Sequence, residues 1–196
     1  YIDLDSNEVP VCDGSSKEFV VLLKKCGFKK QDSFKKFIKI KKIVQVKEGN
    51  KIARVSPFDQ TMITCNVEYD HSCIGKQSIS LMLTSELYES QICKARTFGF
   101  LKDVEKLRKS GLALGGSLDN AIVLDDDKVI NNDGLRYSDE FVRHKVLDLI
   151  GDIALLGVPI IGHITAARAG HASNVEFVKK LKKVYAKELE ELWKDD

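Results

Sequence analysis

Apolar and polar residues alternate through much of the first half of the chain. Phe37-Ile-Lys-Ile-Lys-Lys-Ile-Val-Gln-Val-Lys starts the pattern, Glu48-Gly-Asn-Lys turns it, and Ile52-Ala-Arg-Val-Ser-Pro returns it. Thr61-Met-Ile-Thr-Cys-Asn-Val-Glu-Tyr and Gln77-Ser-Ile-Ser-Leu-Met-Leu continue it. A period of two predicts half-buried strands, the first two joined as a hairpin. Tyr1-Ile-Asp-Leu-Asp alternates in the same way, and Gly157 to Ala166 and Ile122-Val-Leu also read as strands. Helical spacing marks Glu18 to Cys26, capped by Ser15 or Ser16 and closed by Gly27, and Ser85 to Lys94 with Ser85 as a possible cap. It recurs at Leu101, Val104 and Leu107 before Gly111, from Glu140 to Asp152, and from Val175 to Trp193. A polar linker from Gln31 to about Lys36 separates the first strand and helix from the rest.

Composition narrows the class. The 196 residues are 43% hydrophobic and 31% charged, which suits a globular protein with a sizeable core. A net charge of +2 gives no argument for nucleic acid as a partner. The lysines of the strand region read as a solvated face. Cys12, Cys26, Cys65, Cys73 and Cys93 fall in no C-x-x-C spacing, so neither a disulfide framework nor a cysteine metal site is indicated, and a reducing cytoplasm is expected. No apolar run approaches the roughly 18 residues that a membrane span needs, and no secretory leader is expected.

The chemistry gathers on one predicted helix. His144, Asp148 and Asp152 recur every four residues, which places an imidazole and two carboxylates along one side of a helix whose other sides carry Val142, Val146, Leu147, Leu149 and Ile150. Neutral imidazole and carboxylate are zinc ligands. The plain alternative is a helix whose His and Asp bond each other or nearby backbone. His71 reads as a loop histidine and His163 as structural within its strand. Asp125-Asp-Asp-Lys and Asn131-Asn-Asp-Gly lack the EF-hand spacing and read as surface turns around a short Val129-Ile130 strand.

Six motifs then occur in order. They are Glu8-Val-Pro-Val-Cys-Asp-Gly-Ser15, Ala95-Arg-Thr-Phe-Gly-Phe100, Ala113-Leu-Gly-Gly-Ser117 with Asn120-Ala-Ile-Val123, Asn132-Asp-Gly-Leu-Arg-Tyr137, His144-Lys-Val-Leu-Asp148 with Gly151-Asp152, and Ala169-Gly-His-Ala-Ser-Asn174. Together they resemble the UDP-3-O-acyl-N-acetylglucosamine deacetylases, bacterial zinc amidohydrolases of lipid A synthesis. The resemblance covers all but about the last twenty residues.

The resemblance implies an α+β fold: a two-layer sheet-and-helix domain, the second half of a two-domain sandwich whose helices lie between two sheets. Residues 1–31 would be the last strand and helix of a truncated first domain, and 32–196 the second domain, with a β-α-β insert at about 96–124. It implies that His144 and Asp148 bind Zn2+, that His171 protonates the leaving amine while held by Asp152, and that Thr97 faces the tetrahedral oxygen. Lys145 would meet the nucleotide sugar or its diphosphate. Phe98, Phe100, Val104, Gly116, Ser117, Leu118 and Val123 would line the acyl passage, although the apolar members read equally well as local core. The family's remaining histidine ligand and its Glu base are expected in a missing N-terminal domain, so this chain is expected to be a fragment or one half of a split enzyme. The rival reading is a non-catalytic half-protein or an acyl-sugar binding or regulatory module, and a fusion to a fatty-acid dehydratase has little support. After His171 the family usually reads Ala-Leu-Asn-Asn, whereas here Ser173 and Val175 depart, a change expected to affect substrate fit.

Overall fold

A computed structural model describes residues 1–103 and 117–193, with the side chain of Trp193 excepted. Val104, Leu107, Gly111 and the stretch from Ala113 to Gly116 lie outside the described residues. The elements in order are α1 (Lys17–Cys26), β1 (Ile38–Lys39), β2 (Val44–Glu48), β3 (Lys51–Ser56), β4 (Thr61–Glu68), β5 (Lys76–Met82), α2 (Ser85–Gln91), β6 (Phe98–Phe100) and β7 (Ile122–Leu124), followed by α3 (Glu140–Ala154), β8 (Ile160–Ala167), α4 (His171–Val184) and α5 (Ala186–Trp193).

The alternating pattern becomes a six-stranded sheet in the order β2-β3-β8-β4-β5, with β1 parallel to the start of β8. β8 is the organising strand, antiparallel to β3 and parallel to β4. Its Ile160, Gly162, Ile164 and Ala166 are buried while Ile161, His163, Thr165 and Ala167 are half-buried, so side chains leave alternately from its two faces. Ile63, Cys65 and Val67 of β4 and Ala53 and Val55 of β3 are buried in the same core. Against that face pack α3, which lies over β4 and β5, and α4, which lies over β2 and β3. Phe141, Val142, Val146 and Leu149 of α3 meet Phe177, Val178 and Leu181 of α4 in one core. The architecture is thus the expected α+β, sheet-and-helix kind.

Gly162 shows why a central strand carries a glycine. A Cβ there would lie 2.8 Å from Ile40 Cγ1 and 3.1 Å from the Ser56 carbonyl oxygen.

Several local expectations change. Tyr1 to Asp5 form no strand; no described strand pairs with them, and a lone strand cannot satisfy its backbone. Phe37 to Lys47 is two strands, because β1 pairs with Ile160 and Ile161 of β8 whereas β2 pairs with β3. Ser16 stands at the N-cap of α1, but its hydroxyl contacts the Tyr88 hydroxyl at 2.6 Å and donates to the Cys93 carbonyl. Thr84, not Ser85, caps α2 by accepting from the Leu87 N–H. The helix expected over 175–193 starts earlier and is broken at Tyr185, whose hydroxyl accepts the Lys41 N–H. β6 and β7 lie side by side as a parallel pair, and most of the stretch between them lies outside the described residues.

Candidate active site

The site forms where α3 passes the start of α4. On α3, His144 and Asp148 sit one turn apart with Nε2 and Oδ1 at 3.2 Å. His144 Nδ1 lies 3.1 Å from the Ala95 carbonyl, which can only accept, so Nδ1 carries the proton. Nε2 faces a carboxylate oxygen, which is itself an acceptor. Two acceptors this close need a proton or a cation between them. Burial opposes ionisation of Asp148, but the His144 imidazole and the Lys145 ammonium outweigh it and hold the carboxyl well below the usual carboxylate range. Lys145 Nζ donates to Asp148 Oδ2 at 2.8 Å and stands 5.2 Å from the centre of the Phe98 ring.

An imidazole whose other nitrogen donates to a carbonyl, beside an ionised carboxylate, is the donor chemistry of a zinc site. The residues present fit two of its positions. Among the described residues, no group of three His, Cys, Asp or Glu side chains is placed so that it could hold a metal ion.

His171 is the first residue of α4. Its side chain is 67% exposed, yet Nδ1 lies 3.0 Å from each oxygen of Asp152, a turn beyond Asp148 on α3. Nε2 of the same ring is 3.9 Å from Asp148 Oδ1. The four groups named from sequence therefore come together as two His–Asp pairs. Ser173 explains its own departure from the family pattern: it is buried, its hydroxyl accepts the Gly170 N–H and donates to the Gly170 carbonyl, and so it closes the first turn of α4.

Thr97 reaches this region on the strip from Ala95 to Phe100. Its N–H donates to the Gly14 carbonyl and its carbonyl accepts the Ile122 N–H, both at 2.7 Å. Gly14 has φ +78°, and a Cβ there would lie 2.1 Å from the Asn120 carbonyl oxygen, so only glycine fits the turn that backs Thr97. Phe98 packs edge-on against Phe141 and Tyr69, and Phe100 against Tyr69 and His71, which makes both part of a local aromatic core. Val123 is half-buried, while Ser117 and Leu118 are exposed. Val104 and Gly116 lie outside the described residues.

Histidines set aside from the chemistry have ordinary partners. His71 Nε2 donates to the Asp125 carbonyl while Nδ1 accepts the Cys73 N–H, and His163 Nε2 meets the Thr64 hydroxyl at 2.8 Å.

Sequence reasoning missed the supporting groups. Glu140, fully buried one turn before His144, accepts from the Arg96 N–H and Nε on one oxygen and from Arg96 Nη2 and the Arg136 N–H on the other. α3 thereby holds the strip twice, through Glu140 on the N–H of Arg96 and His144 on the carbonyl of Ala95. The i, i+4 spacing of Glu140 and His144 was the available signal. Asn131 is buried with all its amide groups used, joining Leu118, Ala121 and Val123. Asn174, three residues after His171, donates to Asp152 Oδ2 at 2.9 Å.

Comparison with known proteins agrees with this geometry. The family model for UDP-3-O-acyl N-acetylglycosamine deacetylase (LpxC) matches residues 1–183. Proteins named UDP-3-O-acyl-N-acetylglucosamine deacetylase are similar to the chain: that of Syntrophus aciditrophicus is 49% identical over 92% of the chain and 57% of its own length. That of Campylobacter lari is 50% identical over 93% and 62%, and that of Oleidesulfovibrio alaskensis 48% identical over 96% and 63%. The chain thus spans about three fifths of the length of these relatives. With a family match over nearly its whole length, and the two His–Asp pairs brought together on α3 and α4, the chain belongs to the LpxC family of UDP-3-O-acyl N-acetylglycosamine deacetylases.

Proposed function

We propose that the chain is the C-terminal part of a zinc-dependent deacetylase that hydrolyses the N-acetyl group of UDP-3-O-acyl-N-acetylglucosamine, the committed step of lipid A synthesis. The observation that carries this reading is the pair His144 and Asp148, with His144 Nε2 turned on the carboxylate by the Ala95 carbonyl. His144 and Asp148 would hold the zinc, with the third protein ligand and a Glu base supplied by a complementary N-terminal part. Bound there, zinc would lower the pKa of a water and polarise the acetyl carbonyl.

The chain's own groups divide the remaining work. His171, its Nδ1–H held by Asp152, delivers a proton from Nε2 to the sugar nitrogen as the C–N bond breaks, which gives acetate and the free-amine sugar nucleotide. Thr97, fixed by Gly14 and Ile122, places its hydroxyl against the oxygen that gains charge. Lys145 meets the diphosphate or sugar once substrate competes for it with Asp148. Phe98, Phe100, Leu118 and Val123, with Val104, Gly116 and Ser117, border the acyl chain. In this reading residues 1–31 end a first domain, residues 32–196 form the second, and the protein works in the cytoplasm, where its five free cysteines stay reduced. No helix among the described residues is long and apolar enough to cross a membrane.

A second reading, a half-protein that binds the acyl sugar without cleaving it, draws on the two-ligand donor set. Release of acetate from the UDP-3-O-acyl sugar, measured for the chain joined to the N-terminal portion of the Syntrophus relative, separates the two. The deacetylase reading expects turnover that His171→Ala lowers by about 100-fold or more. Substrate binding without acetate release supports the binding module.

A further inference from the structure

The least satisfied group near the site is the Asn174 amide. The residue is 3% exposed, and its Oδ1 is a buried acceptor with no hydrogen-bond partner among the described residues. The amide cannot be turned round, because Oδ1 would then face the Asp152 carboxylate and both would be acceptors. An orphaned buried acceptor destabilises a fold. A residue kept here only for packing would be better apolar. What the asparagine supplies is its donor: Nδ2 reaches Asp152 Oδ2 at 2.9 Å.

His171 and Asn174 are one turn apart on α4, and they bracket Asp152 of α3. His171 Nδ1 lies 3.0 Å from each oxygen, and Asn174 Nδ2 holds Oδ2 from the buried side. The turn between them is itself tied, since the Ser173 hydroxyl bonds both the N–H and the carbonyl of Gly170, and the Asn174 N–H donates to the same carbonyl. Without Asn174, the Asp152 carboxylate would keep only a partner whose side chain is 67% exposed, and it would be free to turn about its own axis.

We propose that Asn174 is a positioning residue: it fixes the Asp152 carboxylate so that His171 keeps its proton on Nδ1 and presents Nε2 at the site beside Asp148. This rests on the reading of His171 as the proton donor to the leaving amine. Asn174 touches no substrate and acts only through Asp152.

The test compares wild type, Asn174→Ala and the shape-conserving Asn174→Leu. Turnover is measured on the chain joined to its N-terminal portion, and the imidazole nitrogens are read by proton–nitrogen NMR on both the joined protein and the chain. Asn174→Ala removes the donor and the orphaned acceptor together, so Tm should stay within about 4 °C. Turnover should fall on the order of 10- to 100-fold, with KM nearly unchanged, and His171 should change from one tautomer to a mixture while His71 and His163 keep theirs. Asn174→Leu, which keeps the shape without either polar group, should give the same pattern. Wild-type turnover in Asn174→Ala, or an unchanged His171 tautomer in both variants, overturns the proposal. So does a fall in Tm with all four histidines shifting, or failure of both variants to fold, since either would make the role structural. If the wild type itself releases no acetate, the deacetylase reading fails, and the tautomer still decides whether Asn174 positions Asp152 and His171.

Discussion

A buried charge pair and an exposed one look alike in a sequence, and at the scale of the residue burial decides their worth. Arg96 and Glu140 are 3% and 0% exposed at their side chains, and Glu140 leaves neither oxygen without a donor. Glu140→Ala leaves the buried guanidinium with Asp133 and the Gly134 carbonyl but takes the acceptor from the Arg96 and Arg136 N–H groups, and should cost about 3 kcal/mol in urea unfolding. Lys24 and Glu89 are closer, at 2.6 Å against 3.0 Å, but are 55% and 45% exposed, so Lys24→Ala should change stability by less than about 1 kcal/mol. Equal losses from the two changes would contradict this ranking. Cys65 gives the pH counterpart. Burial pushes its thiol from 9.0 up to about 12, against which Lys145 works only weakly. The folded state therefore holds this proton more tightly than the unfolded chain. The stability involved is fully present below about pH 9 and is lost as pH rises toward the folded value. Denaturation followed from pH 8 to 11 should show a shallower alkaline decline in Cys65→Ala than in wild type, and parallel curves would refute it. Little of this could be read from the chain: Glu140 stands between the half-buried Asp139 and the buried Phe141, and its spacing to His144 was the one hint of its role.

Helices and strands were more legible than their ends. The period of two identified β3, β4 and β5 closely, because each has one face on the core and one toward water. The same period misplaced Tyr1 to Asp5, which have the pattern and no described partner strand. It also joined β1 to β2, since alternation does not say which neighbour a strand pairs with. His144, Asp148 and Asp152 were readable as one face because helical geometry alone sets it. Asn174 was not, since its role depends on α4 starting at His171 and lying against α3. Gly162 makes an element-scale prediction. A methyl group there meets the branched side chain of Ile40, which cannot swing away as a long flexible one would. Gly162→Ala should cost about 1–3 kcal/mol. In Ile40→Ala, which removes the obstruction, the same change should cost much less, so a double-mutant cycle should show coupling. Strict additivity would mean that the clash with the Ser56 carbonyl dominates instead.

At the scale of the molecule, one end is well packed and the other is open. The sheet and α3 and α4 enclose a continuous core, whereas α1 has no buried residue, and its Val21, Leu22 and Leu23 are 54%, 57% and 44% exposed. Ile2, Val9, Val11 and Phe28 add to the apolar surface. α1 is tied to the rest through Ser16 with Tyr88 and Lys24 with Glu89. Such a surface favours association. The isolated chain should self-associate with rising concentration in sedimentation, and a monodisperse monomer at every concentration would contradict this. The family was readable from the motifs, one of which holds Gly14, where the backbone geometry admits only glycine. A complete metal site was not readable, because in the proposed reading His144 and Asp148 supply two of its ligands and, among the described residues, no group of three is placed to hold a metal ion.

The central claim is that His144 and Asp148 hold a zinc ion that works only when the rest of the site is supplied. The most direct measurement is bound zinc and acetate release together, for the chain alone, for the chain with a separately made N-terminal portion of a relative, and for that mixture carrying His144→Ala. The account predicts stoichiometric zinc and turnover in the wild-type mixture, little of either in the chain alone, and loss of both with His144→Ala. Unchanged zinc and turnover in the His144→Ala mixture would contradict it.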